Sequence, residues 1–352
     1  MNHKRIVAWP DWSFANPYQR LFYEALEEHA WAWVPEVPQS FRALRSLTPP
    51  PTVLHVHWPY SFWRSRGPRA ARQWAALAQY ALGLQALRAS GTVIAWTVHD
   101  LEHLRGDRRI DTLGRQHLYD ASDLVIHHTE WSRHTLREMW GPPRGLEVVM
   151  PHGNYDPARL SPAPREVTRA ALGLSDRPLF LSFGRLDEYK GFDLIPQVAH
   201  ALDGEVDFVI TGQSGTIHTS LEGPGVTVLE GRRSEQELWD LLHACDGVLL
   251  PYRTITMSGA LLAALTAGRG VVATDLPPFR EVLGSAGTAA VLAAPSVDGL
   301  VAGVRRFLSR PAAERGEAAR VLADRWSWPT VVAPVADALD RISAARSASR
   351  AL

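Results

Sequence analysis

The sequence LSFGRLDEYKGFDLI, from Leu181 to Ile195, joins an apolar strand pattern to a loop with two basic residues. Gly184 opens the loop, Arg185 and Lys190 follow five positions apart, and Gly191 precedes a helix-like apolar spacing. Glycine lets backbone amides approach a ligand closely, and two neighbouring cations favour a dianionic group such as a diphosphate. Because open α/β sheets bind ligands at the carboxyl ends of their strands, this stretch predicts a nucleotide diphosphate site.

Strand and helix patterns alternate along the rest of the chain. Strand patterns lie at 6–9, 53–56, 93–98, 124–127, 148–150, 179–183, 206–211, 226–229, 247–251 and 270–274. Helical patterns lie at 18–29, 69–89, 113–121, 132–140, 194–201, 235–244, 260–267 and 330–345. This alternation predicts parallel strands and doubly wound α/β sheets.

A proline-rich segment separates two halves. It contains Pro151, Pro157, Pro162 and Pro164, a composition typical of an interdomain linker. We expect a first domain over 1–155 and a second over 165–328, since 352 residues exceed one ordinary core. We also expect a C-terminal helix over 330–352, and one option is that it packs back on the first domain.

Bulk composition excludes several classes of protein. The chain has 37 basic and 37 acidic residues, so its charge gives no general attraction to nucleic acid. Cys245 is the single cysteine, which rules out an internal disulfide and fits a reducing cytoplasm. The N-terminal residues lack the apolar region of a signal peptide, and no apolar run reaches the ~18 residues that span a bilayer. We expect a cytoplasmic protein without a nucleic-acid partner.

Two Rossmann-like halves with a phosphate loop in the second resemble the GT-B glycosyltransferases, and family 4 and its relatives most closely. The matching segments are FGRL at 183–186, KGFDL at 190–194, TVHD at 97–100, VMPHG at 149–153, VTVLEG at 226–231 and GRGVVATD at 268–275. The resemblance covers most of the chain. It implies an α/β, GT-B fold, in which two Rossmann-like, doubly wound domains face each other across a cleft.

One segment departs from the family pattern. Family 4 enzymes usually carry two glutamates eight positions apart, and aligning on Gly268 places Ile255 and Ala263 in those positions. Ser258 and Gly259 stand between them in a sequence that still predicts a helix N-terminus. The positive end of a helix suits phosphate, so the departure keeps a diphosphate site while it takes away the carboxylate pair. Some bacterial exopolysaccharide enzymes, including β-mannosyltransferases, are similar in carrying T-S-G here.

These segments define the predicted donor site. The diphosphate is assigned to Gly184, Arg185, Lys190, Ser258 and Gly259, and the resemblance assigns the nucleoside part to Gly231, Arg232 and Glu281. As alternatives, the two cations are ordinary surface residues and Ser258 is a plain helix cap.

Three candidate bases lie in the first half, namely His99, Asp100 and Asp11. In an inverting transfer one of them removes the proton of the acceptor hydroxyl. In a retaining transfer the departing phosphate takes that proton, and His99 positions the sugar. The missing glutamate pair favours inversion, whereas a histidine satisfied at a strand end is the structural alternative for His99.

The acceptor is assigned to Trp12, Asn16, Trp58 and Tyr60, which follow the first two strand patterns. Aromatic faces suit the C–H faces of sugars or an apolar lipid tail, and packing between domains is the alternative. A cluster of Arg64, Arg66, Arg69 and Arg72 comes next; it suits an anionic membrane surface, although a solvated helix start is the favoured interpretation.

No metal site and no resident cofactor are predicted. His55 and His57 alternate on one side of a strand, but no third ligand stands out, and the sequence has no Asp-x-Asp motif. Cationic side chains and helix amides would then neutralise the leaving group.

The sequence therefore predicts a hexosyltransferase that uses a nucleotide-sugar co-substrate, GDP- or UDP-linked, and a saccharide or lipid-linked acceptor. A sugar-nucleotide epimerase and a catalytically silent sugar- or nucleotide-binding protein are the alternatives. A nicotinamide dehydrogenase is disfavoured, because no G-x-G-x-x-G follows the first strand pattern.

Overall fold

A computed structural model describes residues 4–14, 16–64, 70–101, 108–155 and 161–351, which fall into two compact units. The first unit contains Met1–Gly153 and Trp328–Leu352, and the second contains Asn154–Ser327. The chain thus leaves the first unit, forms the whole second unit, and returns to the first.

The strands are β1 Lys4–Trp9, β2 Trp31–Trp33, β3 Val53–Val56, β4 Val93–Val98, β5 Leu124–His127, β6 Leu146–Val149, β7 Leu179–Phe183, β8 Asp207–Gly212, β9 Val226–Glu230, β10 Gly247–Leu250, β11 Val271–Thr274 and β12 Ala290–Ala293. The α-helices are α1 Pro17–Glu27, α2 Phe41–Ser46, α3 Ser61–Arg64, α4 Ala70–Ala89, α5 Arg108–Ala121, α6 Glu130–Trp140, α7 Arg165–Ala171, α8 Ile195–Ala201, α9 Glu235–Ala244, α10 Gly259–Thr266, α11 Pro277–Leu283, α12 Val297–Leu308, α13 Ala312–Asp324 and α14 Trp328–Ala351.

Each unit has one parallel six-stranded sheet. The first has the order β2-β1-β3-β4-β5-β6 and the second β12-β11-β10-β7-β8-β9. The inner strands β3, β4, β5, β7 and β10 are buried along their whole length, as expected where helices cover both faces. The predicted doubly wound α/β architecture is confirmed.

The strand order reverses between β1 and β3 in the first unit and between β7 and β10 in the second. At such a switch point the loops leave neighbouring strands in opposite directions and open a crevice at the carboxyl edge of the sheet. Each unit therefore offers one favoured position for a ligand.

Local sequence signals fix several helix starts. Ser234 and Glu237 form a capping box at the start of α9, with each side chain bonded to the backbone of the other. Ser258, Ser296 and Thr129 cap α10, α12 and α6 through their hydroxyl oxygens. These caps satisfy amides that would otherwise lack a partner.

Several elements were not predicted. They are the edge strands β2 and β12 and the helices α2, α3, α7, α11, α12 and α13. The strand β2 has three residues, of which only Trp31 is buried, so its sequence shows no alternation. Except for α12 and α13, these are short or edge elements, which carry too few periodic apolar positions to be recognised from pattern alone.

Candidate functional site

In the second unit, two glycines shape the loop that follows β7. Gly184 has φ +112°, and a Cβ at this position would collide with the ammonium group of Lys190. Gly191 has φ +64°, and a Cβ there would collide with the carbonyl oxygen of Pro251. Since positive φ and the lack of space both require glycine, the two residues hold Lys190 beside the ends of β7 and β10.

The Lys190 side chain is half-buried among aromatic rings. Its Nζ lies 5.7 Å from the ring centroid of Tyr252, 5.8 Å from that of Phe192 and 6.0 Å from that of Tyr189. Burial lowers the pKa of Lys190 from 10.5 to about 8, while the carboxylate of Asp187 opposes the shift. Among the described residues this ammonium forms no ion pair. With a pKa of about 8 it is charged at neutral pH, and an ammonium at this position suits a phosphate oxygen.

Arg185 extends from the same loop with an exposed side chain. Its Nε lies 3.4 Å from Oδ2 of Asp187, and Oδ1 of that carboxylate accepts a hydrogen bond of 3.1 Å from the amide of Thr216. The charge of Arg185 contributes to the lowered pKa of Lys190. The two predicted cations therefore lie close enough to repel each other, and an anion between them would relieve that repulsion.

Ser258 and Gly259 form the start of α10. The Ser258 hydroxyl oxygen accepts a hydrogen bond of 3.2 Å from the amide of Leu261, and Ser258 also shares a side-chain hydrogen bond with Tyr252. Because the Tyr252 ring faces Lys190, one buried tyrosine joins the loop after β7 to the N-terminus of α10. Sequence reasoning missed Tyr252, whose only signal is its position directly after β10.

The residues predicted to bind the nucleoside are not gathered around one cavity. Gly231 follows β9 with φ +100°, and its amide donates a hydrogen bond of 3.0 Å to the last carbonyl of β8. Arg232 is exposed beside it, and Glu281 is exposed on α11. A cavity of about 260 Å³ lies next to this strand end, lined by the end of β9, Leu186 and the loop between 214 and 222. Neither Arg232 nor Glu281 lines that cavity.

The two positions that hold glutamate in family 4 serve the core here. Ile255 packs against the hydrophobic core of the second unit, and Ala263 is buried within it. With apolar side chains at these places, no carboxylate from this pair opposes the dipole of α10 and the two cations.

In the first unit, the loop after β1 engages two predicted site residues. Both carboxylate oxygens of Asp11 accept hydrogen bonds, from the amide and hydroxyl of Ser13 (3.1 and 2.7 Å) and from the amide of Glu36 (2.8 Å). Asn16 caps α1 by accepting a hydrogen bond of 3.1 Å from the amide of Tyr18. Asp11 is therefore the least available of the three candidate bases.

Three aromatic rings form a stack at the switch point of the first sheet. The rings of Trp12 and Trp58 lie 4.8 Å apart at 24°, and Trp58 stacks on the imidazole of His99 at 4.4 Å and 17°. These residues come from the loops after β1, β3 and β4. The stack thus brings two predicted acceptor residues against a predicted catalytic residue, and its aromatic faces suit the C–H faces of a sugar.

Asp100 adjoins the stack and has an unusual carboxyl group. Burial raises its pKa from 3.8 to about 6, against the opposing effects of Arg115, Arg64 and a hydrogen bond from Tyr60. The Tyr60 ring itself lies against the guanidinium of Arg64, at 4.4 Å. A carboxylate with a pKa near 6 is ionised at neutral pH and still accepts a proton readily, as a general base must.

His99 lies in a cluster of neutral histidines. Burial is the largest cause that holds the pKa of His99 well below its usual range, and the nearby imidazoles of His128, His55 and His152 add to the effect. The ring of Tyr18 forms the centre of this cluster, with centroid distances of 5.0–6.0 Å to His57, His99, His128, His152 and Trp328. Sequence reasoning did not foresee this cluster, which gathers segments far apart in the chain.

His55 and His57 lie side by side, with ring centroids 4.2 Å apart, as their alternation in the strand predicts. All four of their ring nitrogens have hydrogen-bond partners. Within the described ranges, no group of three or more His, Cys, Asp or Glu side chains could hold a metal ion.

The predicted basic cluster is only partly described. Arg64 forms an ion pair with the buried carboxylate of Asp111, and Arg72 is exposed on α4. Arg66 and Arg69 lie outside the described residues. In the part of the chain that the structure covers, no helix is both long and apolar enough to cross a bilayer.

A comparison with known protein families finds a match within the second unit. Residues 164–322 match the glycosyl transferases group 1 family. This range includes the loop with Arg185 and Lys190, the start of α10 and the end of β9.

Three curated relatives are glycosyltransferases. The D-inositol 3-phosphate glycosyltransferase of Gordonia bronchialis is 25% identical over 64% of this chain and 53% of its own length. The GDP-mannose:glycolipid 4-beta-D-mannosyltransferase of Xanthomonas campestris pv. campestris is 28% identical over 73% of this chain and 69% of its own length. The GDP-mannose-dependent alpha-(1-6)-phosphatidylinositol monomannoside mannosyltransferase of Mycobacterium tuberculosis is 26% identical over 64% of each. The match thus spans about half the length of the Gordonia enzyme.

Solved structures share the fold over nearly the whole chain. Sucrose-phosphate synthase from Thermosynechococcus elongatus has a TM-score of 0.70 at 16% identity and covers 97% of this chain and 99% of its own. Anabaena HepE in complex with UDP and glucose has a TM-score of 0.71 at 14% identity and covers 96% and 100%. The chain therefore has the GT-B fold that these structures share, and its residues 164–322 match the glycosyl transferases group 1 family.

Proposed function

We propose that this protein transfers a hexosyl unit from a nucleotide-diphosphate sugar, GDP-mannose or a UDP-hexose, to a saccharide or lipid-linked saccharide. The observation that carries the proposal is the position of Lys190. Its ammonium lies beside Gly184 at the switch point of the second sheet, and Tyr252 links it to the N-terminus of α10. Fixed positive charge at that point suits the diphosphate of the donor.

The chemistry of the leaving group explains why this charge matters. When the glycosidic bond of the donor breaks, negative charge develops on the diphosphate and positive charge on the anomeric carbon. Lys190, Arg185 and the first amides of α10 would stabilise the diphosphate without a metal ion. Interactions that strengthen as the charge develops raise the rate, whereas equal binding of both states would not.

The donor is proposed from the names of the relatives. Two of the three curated relatives reported above are named for GDP-mannose, so GDP-mannose is the first donor to test. The neighbouring structure with UDP and glucose supports UDP-glucose as the second.

The acceptor hydroxyl must lose a proton, and the first unit supplies the candidates. Asp100 has the more suitable pKa and His99 lies in the aromatic stack, so we propose inversion with one of them as base. In a retaining reaction His99 would instead position the sugar. A cytoplasmic location, with contact to an anionic membrane through a lipid-linked acceptor, also belongs to the proposal; the exposed side chain of Phe14, next to Trp12, supports such contact.

The test begins with binding. GDP, UDP, dTDP and ADP are screened by thermal shift, because a ligand that binds the native state raises Tm by mass action. Transfer from GDP-mannose and UDP-glucose is then measured for Arg185→Ala, Lys190→Ala and the control Arg177→Ala. Arg177 resembles Arg185, since both side chains are 48% exposed and both pair with an aspartate.

The expected result is severe loss of transfer in the two loop variants and full activity in the control. Normal transfer by both loop variants would refute the diphosphate site. Turnover of donor without any acceptor would indicate the epimerase alternative, and nucleotide binding with no turnover would indicate the silent binding protein.

A further inference from the structure

A series of four hydrogen bonds runs from His99 into the core of the first unit. Nε2 of His99 lies 2.9 Å from Nδ1 of His57, and Nε2 of His57 lies 2.7 Å from the hydroxyl of Tyr23. The same hydroxyl lies 2.9 Å from Nδ1 of His55, whose Nε2 lies 2.8 Å from Oγ1 of Thr97. We call these five residues the Tyr23 network; all except His99 are at most 1% exposed.

The number of protons restricts this network to two arrangements. A neutral imidazole has one N–H and one bare nitrogen, and the single hydroxyl proton of Tyr23 is donated to only one neighbour. Burial holds the pKa of His55 near 3 and that of His57 well below its usual range, so both rings are neutral. Each inner residue must then donate on one side and accept on the other. All four hydrogen bonds therefore point the same way, either from His99 inward or from Thr97 outward.

The direction decides what His99 presents outside the network. If the bonds point inward, His99 carries its proton on Nε2, and Nδ1 is a bare acceptor. If they point outward, His99 carries its proton on Nδ1 and presents a donor. Only the first arrangement lets His99 accept a proton from a hydroxyl, or accept its hydrogen bond. The Trp58 ring stacks on the imidazole and fixes its plane in either case.

We propose that Tyr23, His57, His55 and Thr97 are positioning residues that hold His99 in its Nε2–H tautomer and leave Nδ1 as the acceptor. The proposal rests on the proposed function, in which the acceptor sugar binds beside His99. The phenol of Tyr23 is the key link, because it accepts from His57 and passes its own proton to His55. An imidazolium formed on His99 during transfer would keep the same direction, since its Nε2–H would still donate to His57.

Two substitutions without polar atoms should reverse this direction. In Tyr23→Phe, an N–H at Nε2 of His57 would be a buried donor without an acceptor, which costs more than a bare nitrogen left unpaired. His57 should therefore move its proton to Nδ1 and donate to His99, whose own proton must then sit on Nδ1. In Thr97→Val, the same argument applies to Nε2 of His55, and the reversal reaches His99 through the three hydrogen bonds that remain.

The experiment measures tautomers by NMR of protein labelled in the histidine ring nitrogens, with no substrate present. We expect the Nε2–H form of His99 in the unaltered protein and the Nδ1–H form in Tyr23→Phe and Thr97→Val. Tyr80→Phe is the matched control, because Tyr80 is buried in the same unit and its hydroxyl has no hydrogen-bond partner in the structure. It should leave the His99 tautomer unchanged.

Kinetics and stability complete the test. Tyr23→Phe keeps the ring that stacks on Trp33 at 5.1 Å, so its Tm should fall below that of Tyr80→Phe only by the cost of the imidazole nitrogens of His55 and His57 that lose a partner. We expect kcat to fall ~10-fold or more with the KM of the nucleotide sugar unchanged, as for loss of acid–base assistance. A His99 tautomer that is Nδ1–H from the start, or that stays the same in both variants, would overturn the network. Absence of transfer in the unaltered protein would instead count against the proposed function, whatever the NMR shows.

Discussion

The ammonium group of Lys190 occupies the space that a side chain at Gly184 would need. A lysine from one end of the loop thus closes over the backbone at its other end, and the positive φ of Gly184 makes this approach possible. Bound diphosphate would meet backbone amide and ammonium in the same place.

Gly184→Ala should weaken nucleotide binding. The new methyl group displaces the Lys190 ammonium, and a non-glycine residue at this φ costs about 1–2 kcal/mol of folding stability. We expect the Kd for GDP or UDP, measured by calorimetry, to rise about 10- to 100-fold, the size of a lost charge-assisted hydrogen bond. Gly173→Ala is the control, because Gly173 has φ +64° with nothing near its Cβ position. Equal loss of binding in both variants would attribute the effect to backbone strain alone.

Nucleotide affinity should depend on pH through Lys190. Its pKa is lowered to about 8, so the ammonium is charged at pH 7 and neutral at pH 9.5. We expect the Kd to rise by up to about tenfold per pH unit above pH 8. Lys190→Met should bind weakly with no such slope. A steep slope that persists in Lys190→Met would assign the titration to another group.

The same residue should reduce folding stability. Because folding lowers the pKa of Lys190, the unfolded chain binds its proton more tightly. The destabilisation is complete below pH 8 and disappears between pH 8 and 10.5. Lys190→Met is therefore expected to raise Tm at pH 7 while it weakens nucleotide binding. A lower Tm would show that the ammonium is stabilised by its surroundings.

Ser258→Ala separates a helix cap from a phosphate contact. Loss of a serine cap costs about 1 kcal/mol, and Ser296→Ala should cost as much, because Ser296 caps α12 in the same unit. Only Ser258→Ala should also raise the Kd for the nucleotide. If Ser258→Ala and Ser296→Ala had similar Tm values and similar nucleotide affinities, Ser258 would act as a helix cap only.

Asp100→Asn tests the base. If Asp100 removes the acceptor proton, kcat/KM should increase with pH through about 6, where the carboxylate becomes ionised, and the variant should lose this step. Folding stability should change with pH in the opposite direction to kcat/KM. The raised pKa means that the folded protein binds the proton more tightly, so stability falls between pH 3.8 and 6. At pH 8 the variant should then have a higher Tm than the unaltered protein. A step near pH 6 that survives in Asp100→Asn would assign the titration to another group.

Buried parallel strands could be predicted from the sequence, because both of their faces are covered and their residues form apolar runs. The predicted bounds 53–56, 93–98, 124–127 and 179–183 are those of β3, β4, β5 and β7. The edge strand β12 was missed because only two of its four residues are buried. Helix α12 was missed although Leu300, Val301, Val304 and Phe307 recur at helical spacing.

The candidate sites also contain residues that the local sequence predicts and residues whose roles depend on the fold. The loop with Arg185 and Lys190 could be placed at the end of a strand from glycine and charge alone. Tyr252 and Tyr23 could not, because their roles depend on which strands are adjacent. Tyr23 reaches His55 and His57, 32 and 34 positions further along the chain, and no periodicity links residues at that separation.

The return of α14 to the first unit has a consequence for synthesis on the ribosome. Trp328 packs on Gly153 and on the ring of Tyr18, yet it is translated only after all of Asn154–Ser327. The second unit is contiguous and can fold while the first still waits for its final helix. The histidine cluster around Tyr18 is thus completed late, and a ribosome that stalls before Trp328 leaves a nascent chain whose second unit can fold while the cluster in the first unit is incomplete.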